Sequence, residues 1–302
     1  MKRWAAAALV LSALAGEALA FTHEPKGMIG THKETRGKLV SCFCLDGDGN
    51  IVAADEEGQC LRVIAPDDTL RALWKLDFAP QAVAWRASDK TLLVAGSGRI
   101  AALGADGKVV RAAALPSAGV QGAAKATSDD KNAEASSVTA SGEDVFVTVR
   151  ASTGFTVYRL DSKLENPKAI LTGLRGCCRQ MDVMASGDTL YVAANCAFEV
   201  TLYDREGKKK GAITKPKGAK YFDGCCEPKN VCMGPDGSLY VAESAKCAVN
   251  RFSTDGKFLG EVGCVPDIGG CVRVTLAVSA DGARVYMLDT NKNVVRVLER
   301  KK

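Results

Sequence analysis

Sulfur dominates the chemistry open to this chain. Twelve cysteines stand among its 302 residues, against two histidines, His23 and His32. Two cysteine pairs share one lead-in, Gly176-Cys177-Cys178 and Gly224-Cys225-Cys226. Five residues after the first cysteine of each pair comes Asp182 or Asn230, then a valine. Thiolates select soft ions such as Cu(I) or Zn(II). Paired thiols can instead cycle through a disulfide, or staple a fold permanently in an oxidising compartment. No C-x-x-C pair with a matching second pair and no haem-attachment motif is present, so spacing alone leaves these three chemistries open. Two histidines leave no room for a three-histidine zinc site, and a Ser-His-Asp hydrolase is a poor fit.

The elements that must position these sulfurs repeat. Six times, at intervals of about 45 residues, the chain runs through a turn, a short apolar strand, a small or acidic residue and a second strand. The clearest copies are Ser186 to Ala194 and Asp236 to Glu243; weaker ones lie at Gly49–Asp55, Asp89–Ala95, Gly142–Val147 and Gly282–Asp289. Asp-Gly turns punctuate the hairpins at 48–49, 106–107, 236–237, 255–256 and 281–282. The period predicts an all-β, six-bladed β-propeller of four-stranded blades. The expected blades are 38–76, 78–115, 119–171, 174–214, 221–262, and 263 to the end, with a polar insert at 121–135 in the third. The last blade lacks an outer strand. Pro25–Gly30 resembles the outer-strand starts of other blades, so it is expected to complete that blade and close the ring.

Residues 1–20 read as a cleaved signal peptide: a basic start, an apolar run from Trp4 to Ala15, and Ala18-Leu19-Ala20 as the cleavage site. The propeller domain is then 21–302, exported to the periplasm or beyond. Its loss of Lys2, Arg3 and Glu17 lowers the net charge only from +5 to about +4. Nucleic acid is not an expected partner, and no other apolar stretch is long enough for a membrane span. The Lys208–Lys210 run reads as a solvated turn.

Leu239-Tyr240-Val241-Ala242-Glu243, then Val249–Phe252 and Asp255-Gly256-Lys257, resembles an NHL repeat, as does Leu190 to Lys208. The chain is similar to NHL-repeat six-bladed propellers over its mature length, and its Gly-Cys-Cys segments resemble those of exported bacterial proteins of that type. The resemblance implies the fold. It does not imply an activity, because such propellers include scaffolds as well as enzymes.

In such a ring, linkers entering first strands and loops leaving second strands share one rim. Cys177, Cys178, Cys225, Cys226 and Cys271 are therefore expected to converge at that upper mouth, with Cys42 just below. Cys60, Cys196 and Cys247 should lie on the same face further out, Cys264 near this rim, and Cys44 and Cys232 should pack on inner strands. The expected function is a binding or redox protein, leaning away from an enzyme, that takes a small ligand, a metal ion or a protein at this face. Copper or zinc is the expected metal, with purely structural disulfides in an interaction scaffold as one alternative. Another is a calcium-dependent lactonase-like hydrolase using Asp182, Asn195, Asn230 and Glu243. A mature terminus Phe21-Thr22-His23 could also hold Cu(II) through His23.

Overall fold

The structure, a computed structural model, describes residues 21–116, 133–151 and 154–302. Residues 1–20, read above as a signal peptide, and insert residues 121–132 lie outside the described residues. Among the described residues there are no helices, and hence no helix long and apolar enough to cross a membrane.

Six four-stranded antiparallel sheets form the molecule. Blade 1 is β2 (Val40–Leu45), β3 (Ile51–Asp55), β4 (Cys60–Ile64) and β5 (Leu70–Lys75). Blade 2 is β6 (Ala82–Arg86), β7 (Thr91–Gly96), β8 (Arg99–Leu103) and β9 (Val109–Ala114). Blade 3 is β10 (Glu134–Ser141), β11 (Asp144–Ala151), β12 (Gly154–Leu160) and β13 (Lys168–Leu174). Blade 4 is β14 (Asp182–Ser186), β15 (Thr189–Ala194), β16 (Glu199–Tyr203) and β17 (Lys209–Thr214). Blade 5 is β18 (Asn230–Met233), β19 (Leu239–Glu243), β20 (Ala248–Phe252) and β21 (Phe258–Cys264). Blade 6 is β22 (Leu276–Val278), β23 (Arg284–Asp289) and β24 (Val294–Arg300), completed by β1 (His23–Ile29) from the other end of the chain. The expected closure by the N-terminal segment is therefore seen, with His23 opposite Arg300 and Ile29 opposite Val295. The insert is shorter than expected, because Glu134 and Ala135 already belong to β10.

Burial explains the repeat. β3, β7 and β19 are buried at every residue. A second strand lies between two neighbouring blades, so both its faces are covered and its sequence is continuously apolar. Outer strands such as β5 alternate between half-buried and exposed. Six apolar clusters fill the seams, each shared by two adjacent blades. The seam that seals the ring joins Ile29 and Val295 of blade 6 to Val40 and Phe43 of blade 1.

Side chains at the starts of inner strands add polar ties across the seams. Ser137 Oγ accepts from the Val183 amide at 3.1 Å, Asp182 Oδ2 from Val231 at 2.9 Å, and Asn230 Oδ1 from Leu276 at 2.8 Å.

His23 sits at the closure, 3 % exposed, with Nε2 3.1 Å from the Gly282 carbonyl and Nδ1 2.9 Å from Thr22 Oγ1. Burial lowers its pKa from about 6.5, opposed by the Gly282 hydrogen bond and aided by Arg300 and Arg251. A depressed folded pKa contributes stability above pH 6.5 that is lost as pH falls through the folded value. The stability margin of the wild type over His23→Asn should therefore narrow between pH 7 and pH 5 in paired thermal melts. A constant or widening margin would contradict this account.

Candidate metal centre

The sulfurs converge. Sγ atoms of Cys177, Cys178, Cys226 and Cys271 all lie within 4.8 Å of one another. Cys178 Sγ is 3.7 Å from Cys177 Sγ and 2.6 Å from Cys271 Sγ. Cys225 borders the group, 3.2 Å from Cys226 and 3.9 Å from Cys271. The donors come from the entries to β14, β18 and β22, on three consecutive blades.

The local backbone explains how each pair turns inward. Cys178 and Cys226, the second members of the pairs, share a left-handed conformation, with φ of 56° and 60°. That region is unfavourable for a residue with a Cβ and persists only where the surroundings impose it. The preceding glycines permit the close approach. A Cβ on Gly176 would come 2.5 Å from the Phe155 ring, and one on Gly224 would come 2.4 Å from Ala245 Cβ. Asn195, fully buried after β15, accepts from the Cys177 amide at 2.8 Å and donates to the Gln180 carbonyl at 2.9 Å. In blade 5 the same task falls to Glu227, whose Oε1 accepts from the Ala245 amide at 2.8 Å and from Ser244 Oγ at 3.1 Å.

A cation lies against the sulfurs. Lys229 is fully buried, and its Nζ donates to Cys178 Sγ at 3.1 Å and Cys271 Sγ at 3.5 Å. Hydrogen bonding from Cys178 is the largest influence drawing the Cys271 thiol down to about 7, with Cys226 and Lys229 adding to it. Burial pushes Cys178 up to about 12 and Cys226 also upward. Burial likewise lifts the Glu227 carboxyl to about 7. Its Oε2 lacks a hydrogen-bond partner. The arrangement can hold a thiolate, and it can place four sulfurs around one ion.

Not every expected residue joins this centre. Cys42 stands below: its side chain lines the channel, 3.9 Å from the Val83 carbonyl, and is not among the four gathered sulfurs. The inner strand of blade 1 carries it past the rim. Cys44 and Cys232 line the same channel, and burial raises the pKa of both. Cys60 is buried at the start of β4, and Cys196, Cys247 and Cys264 occupy the outer rim. No two of the twelve are bonded.

The calcium set does not assemble either. Asp182 and Asn230 line the channel but spend an oxygen each on the cross-blade amides described above. Asn195 is bound to the Cys177 turn, and Glu243 packs against Asn250 in the outer part of blade 5. Both ring nitrogens of His23 are engaged, so a copper site there would have to break the closure contacts. Arg179 pairs with Glu134 at the rim.

Lys229 and Glu227 stand at this centre and were missed by the sequence reading. A signal existed: by the repeat offset, Lys229 occupies the place of Met181 and Val274, both buried apolar residues. A lysine at an apolar position beside a cysteine pair marks a charge that needs a partner.

No family model matches the chain, and no curated protein does. Solved structures match its fold. A calcium-binding regucalcin from Agrobacterium tumefaciens is 15 % identical, with TM-score 0.63 over 93 % of this chain and 96 % of that one. A gluconolactonase from Xanthomonas campestris is also 15 % identical, with TM-score 0.63 over 93 % and 97 %. A virginiamycin B lyase from Staphylococcus aureus is 12 % identical, with TM-score 0.57 over 87 % and 80 %. At these identities the likeness establishes the six-bladed propeller fold and nothing about activity.

Asn195→Ala should destabilise the protein by about 1–3 kcal/mol, the cost of leaving buried backbone groups unpaired. It should also speed alkylation of Cys177. Denaturant titration and peptide mapping check both; an unchanged Cys177 rate would show that Asn195 does not position it.

Proposed function

We propose that the protein is an exported, NHL-like propeller that binds one soft metal ion, Zn(II) or Cu(I), through Cys177, Cys178, Cys226 and Cys271, with Cys225 alongside. The observation that carries this reading is the gathering of four sulfurs from three blades within 4.8 Å. A tetrahedral ion with metal–sulfur bonds of about 2.3 Å needs its sulfurs about 3.8 Å apart. The 3.7 Å separation of Cys177 and Cys178 meets that spacing, and the Cys178–Cys271 contact has only to open by about one ångström. Lys229 offsets part of the charge that thiolates bring to a soft cation. The ring holds ligands that are remote in sequence in place, so little ordering is left for the metal to impose.

Enzymatic readings drawn from the fold neighbours have less support. The staphylococcal lyase has a variant described as catalytically inactive after loss of one histidine. Here neither His23 nor His32 lines the channel. The carboxylates and amides of the lactonase-like alternative are dispersed or committed to backbone amides, as described above. Export rests on the N-terminal signal pattern, and a small ligand or a protein remains compatible with the upper face.

Protein purified from its own compartment without oxygen should contain one equivalent of zinc or copper. Intact mass after alkylation should show four thiols protected until a chelator is added. The double variant Cys178→Ser/Cys226→Ser should lose the metal, and Cys264→Ser should keep it. A metal-free protein with its paired cysteines joined as disulfides would overturn the proposal in favour of a structural or redox role.

Lys229→Met tests the electrostatic part separately. Removing its charge should weaken metal retention against a competing chelator at least tenfold. Undiminished retention would show that the lysine serves only to pack the site.

A further inference from the structure

The guanidinium of Arg273 has no assigned work in the fold. Its Nε is buried without a hydrogen-bond partner, and among the described residues no carboxylate pairs with it. The acids around it are already engaged. Glu134 holds Arg150 at 2.7 Å and also Arg179. Glu56 accepts from Gln81 at 3.0 Å, and Asp182 accepts from the Val231 amide at 2.9 Å. The residue itself is fixed, since its carbonyl accepts from Thr290 Oγ1 at 3.0 Å. By the repeat offset it takes the place of Gln180 in blade 4 and Pro228 in blade 5. Gln180 uses that place to bond the Val274 backbone, donating to its carbonyl at 2.7 Å and accepting from its amide at 3.3 Å. Arg273 therefore brings to this position a charge that no ion pair consumes.

The side chain borders two spaces. Above is a cavity of about 290 Å³ at the channel mouth, walled by Leu39, Val40, Ala135 and Val272 and touching Cys178. Below, the channel continues as a space of about 300 Å³. Arg273 is half-buried with its Nε shielded and unpartnered, and its planar guanidinium fork suits a carboxylate held by two hydrogen bonds. Local charge sets the valence. Arg150, Arg179 and Arg273 face Glu56 and Glu134, which leaves one net positive charge for one negative charge to balance. The apolar wall sets the rest of the molecule.

We propose that the channel mouth holds a second site, in which Arg273 binds a small monocarboxylate whose short apolar tail lies against Leu39, Val40, Ala135 and Val272. It goes beyond the metal reading and does not depend on it, because no sulfur is a ligand to the carboxylate. A bound acid would lie beside Cys178, so the two sites share one wall.

Calorimetry on the protein as isolated tests this with hexanoate, hexanamide and inorganic phosphate. Hexanoate should bind saturably at one site, and hexanamide and phosphate at least tenfold more weakly. Arg273→Gln should weaken hexanoate at least tenfold while leaving the metal content unchanged. Equal binding of hexanamide would reduce the site to an apolar pocket, and stronger binding of phosphate would make it a general anion site; either overturns the proposal. So would the absence of saturable hexanoate binding, or undiminished binding to the variant. The comparison of ligands on the wild type needs no variant to fold, and loss of metal without loss of hexanoate binding would separate this site from the thiol centre.

Discussion

Each second strand is pressed between two neighbouring blades, and the rest of the molecule depends on that contact. No blade has a core of its own. The six apolar clusters are all shared, and the one that seals the ring includes Ile29, which the pairing of β1 with β24 brings against blade 1. A sheet that must be covered on both faces by its neighbours can be satisfied only by closing the ring. Closure then dictates where the linkers go: every entry to an inner strand ends at the rim of one hole. The sulfurs meet because the seams leave their loops nowhere else to be.

Within that frame the thiol centre is a local contest between burial and charge. Burial pushes the Cys178 and Cys226 thiols toward the neutral form, and hydrogen bonding from Cys178, with Cys226 and Lys229 adding to it, pulls Cys271 toward the thiolate. Lys229 is itself fully buried, and its charge is supported there by the sulfurs it faces and by the Glu227 carboxyl. The scaffold meets its own costs nearby. Two cysteines adopt left-handed backbone, two glycines admit contacts no side chain would allow, and Asn195 and Glu227 hold the turns in register. Blades 1 and 6 show the ordinary version of such a balance. There the acid ending the second strand meets an arginine seven residues on, as Asp55 meets Arg62 at 3.1 Å and Asp289 meets Arg296 at 3.2 Å. Blade 5 replaces that arginine by Asn250 and leaves Glu243 Oε2 without a partner. The repeat fixes positions, and each blade spends them differently.

Blade number, strand order and the closing segment were legible along the chain because they are written in periods: an apolar second strand, an Asp-Gly turn, an outer-strand start. The cysteines of blades 4, 5 and 6 could be placed on one rim for the same reason, since a fixed offset from a repeated strand is a fixed position in space. Inter-residue distance is not periodic. The same offset puts Cys42 one step down the channel from the other sulfurs, but it does not say how far apart any two sulfur atoms stand. Asp182 and Asn230 had the right types for a cation, yet the demand of neighbouring amides for acceptors, visible only across a seam, had already claimed them. Lys229 and Arg273 lie in irregular linkers, where a side chain's direction follows from tight turns and contacts with two other blades. Local pattern thus settles the architecture, because strands obey short-range rules. The chemistry of the mouth comes from atoms brought together across the ring, where burial and unpaired charge are properties of the assembled surroundings.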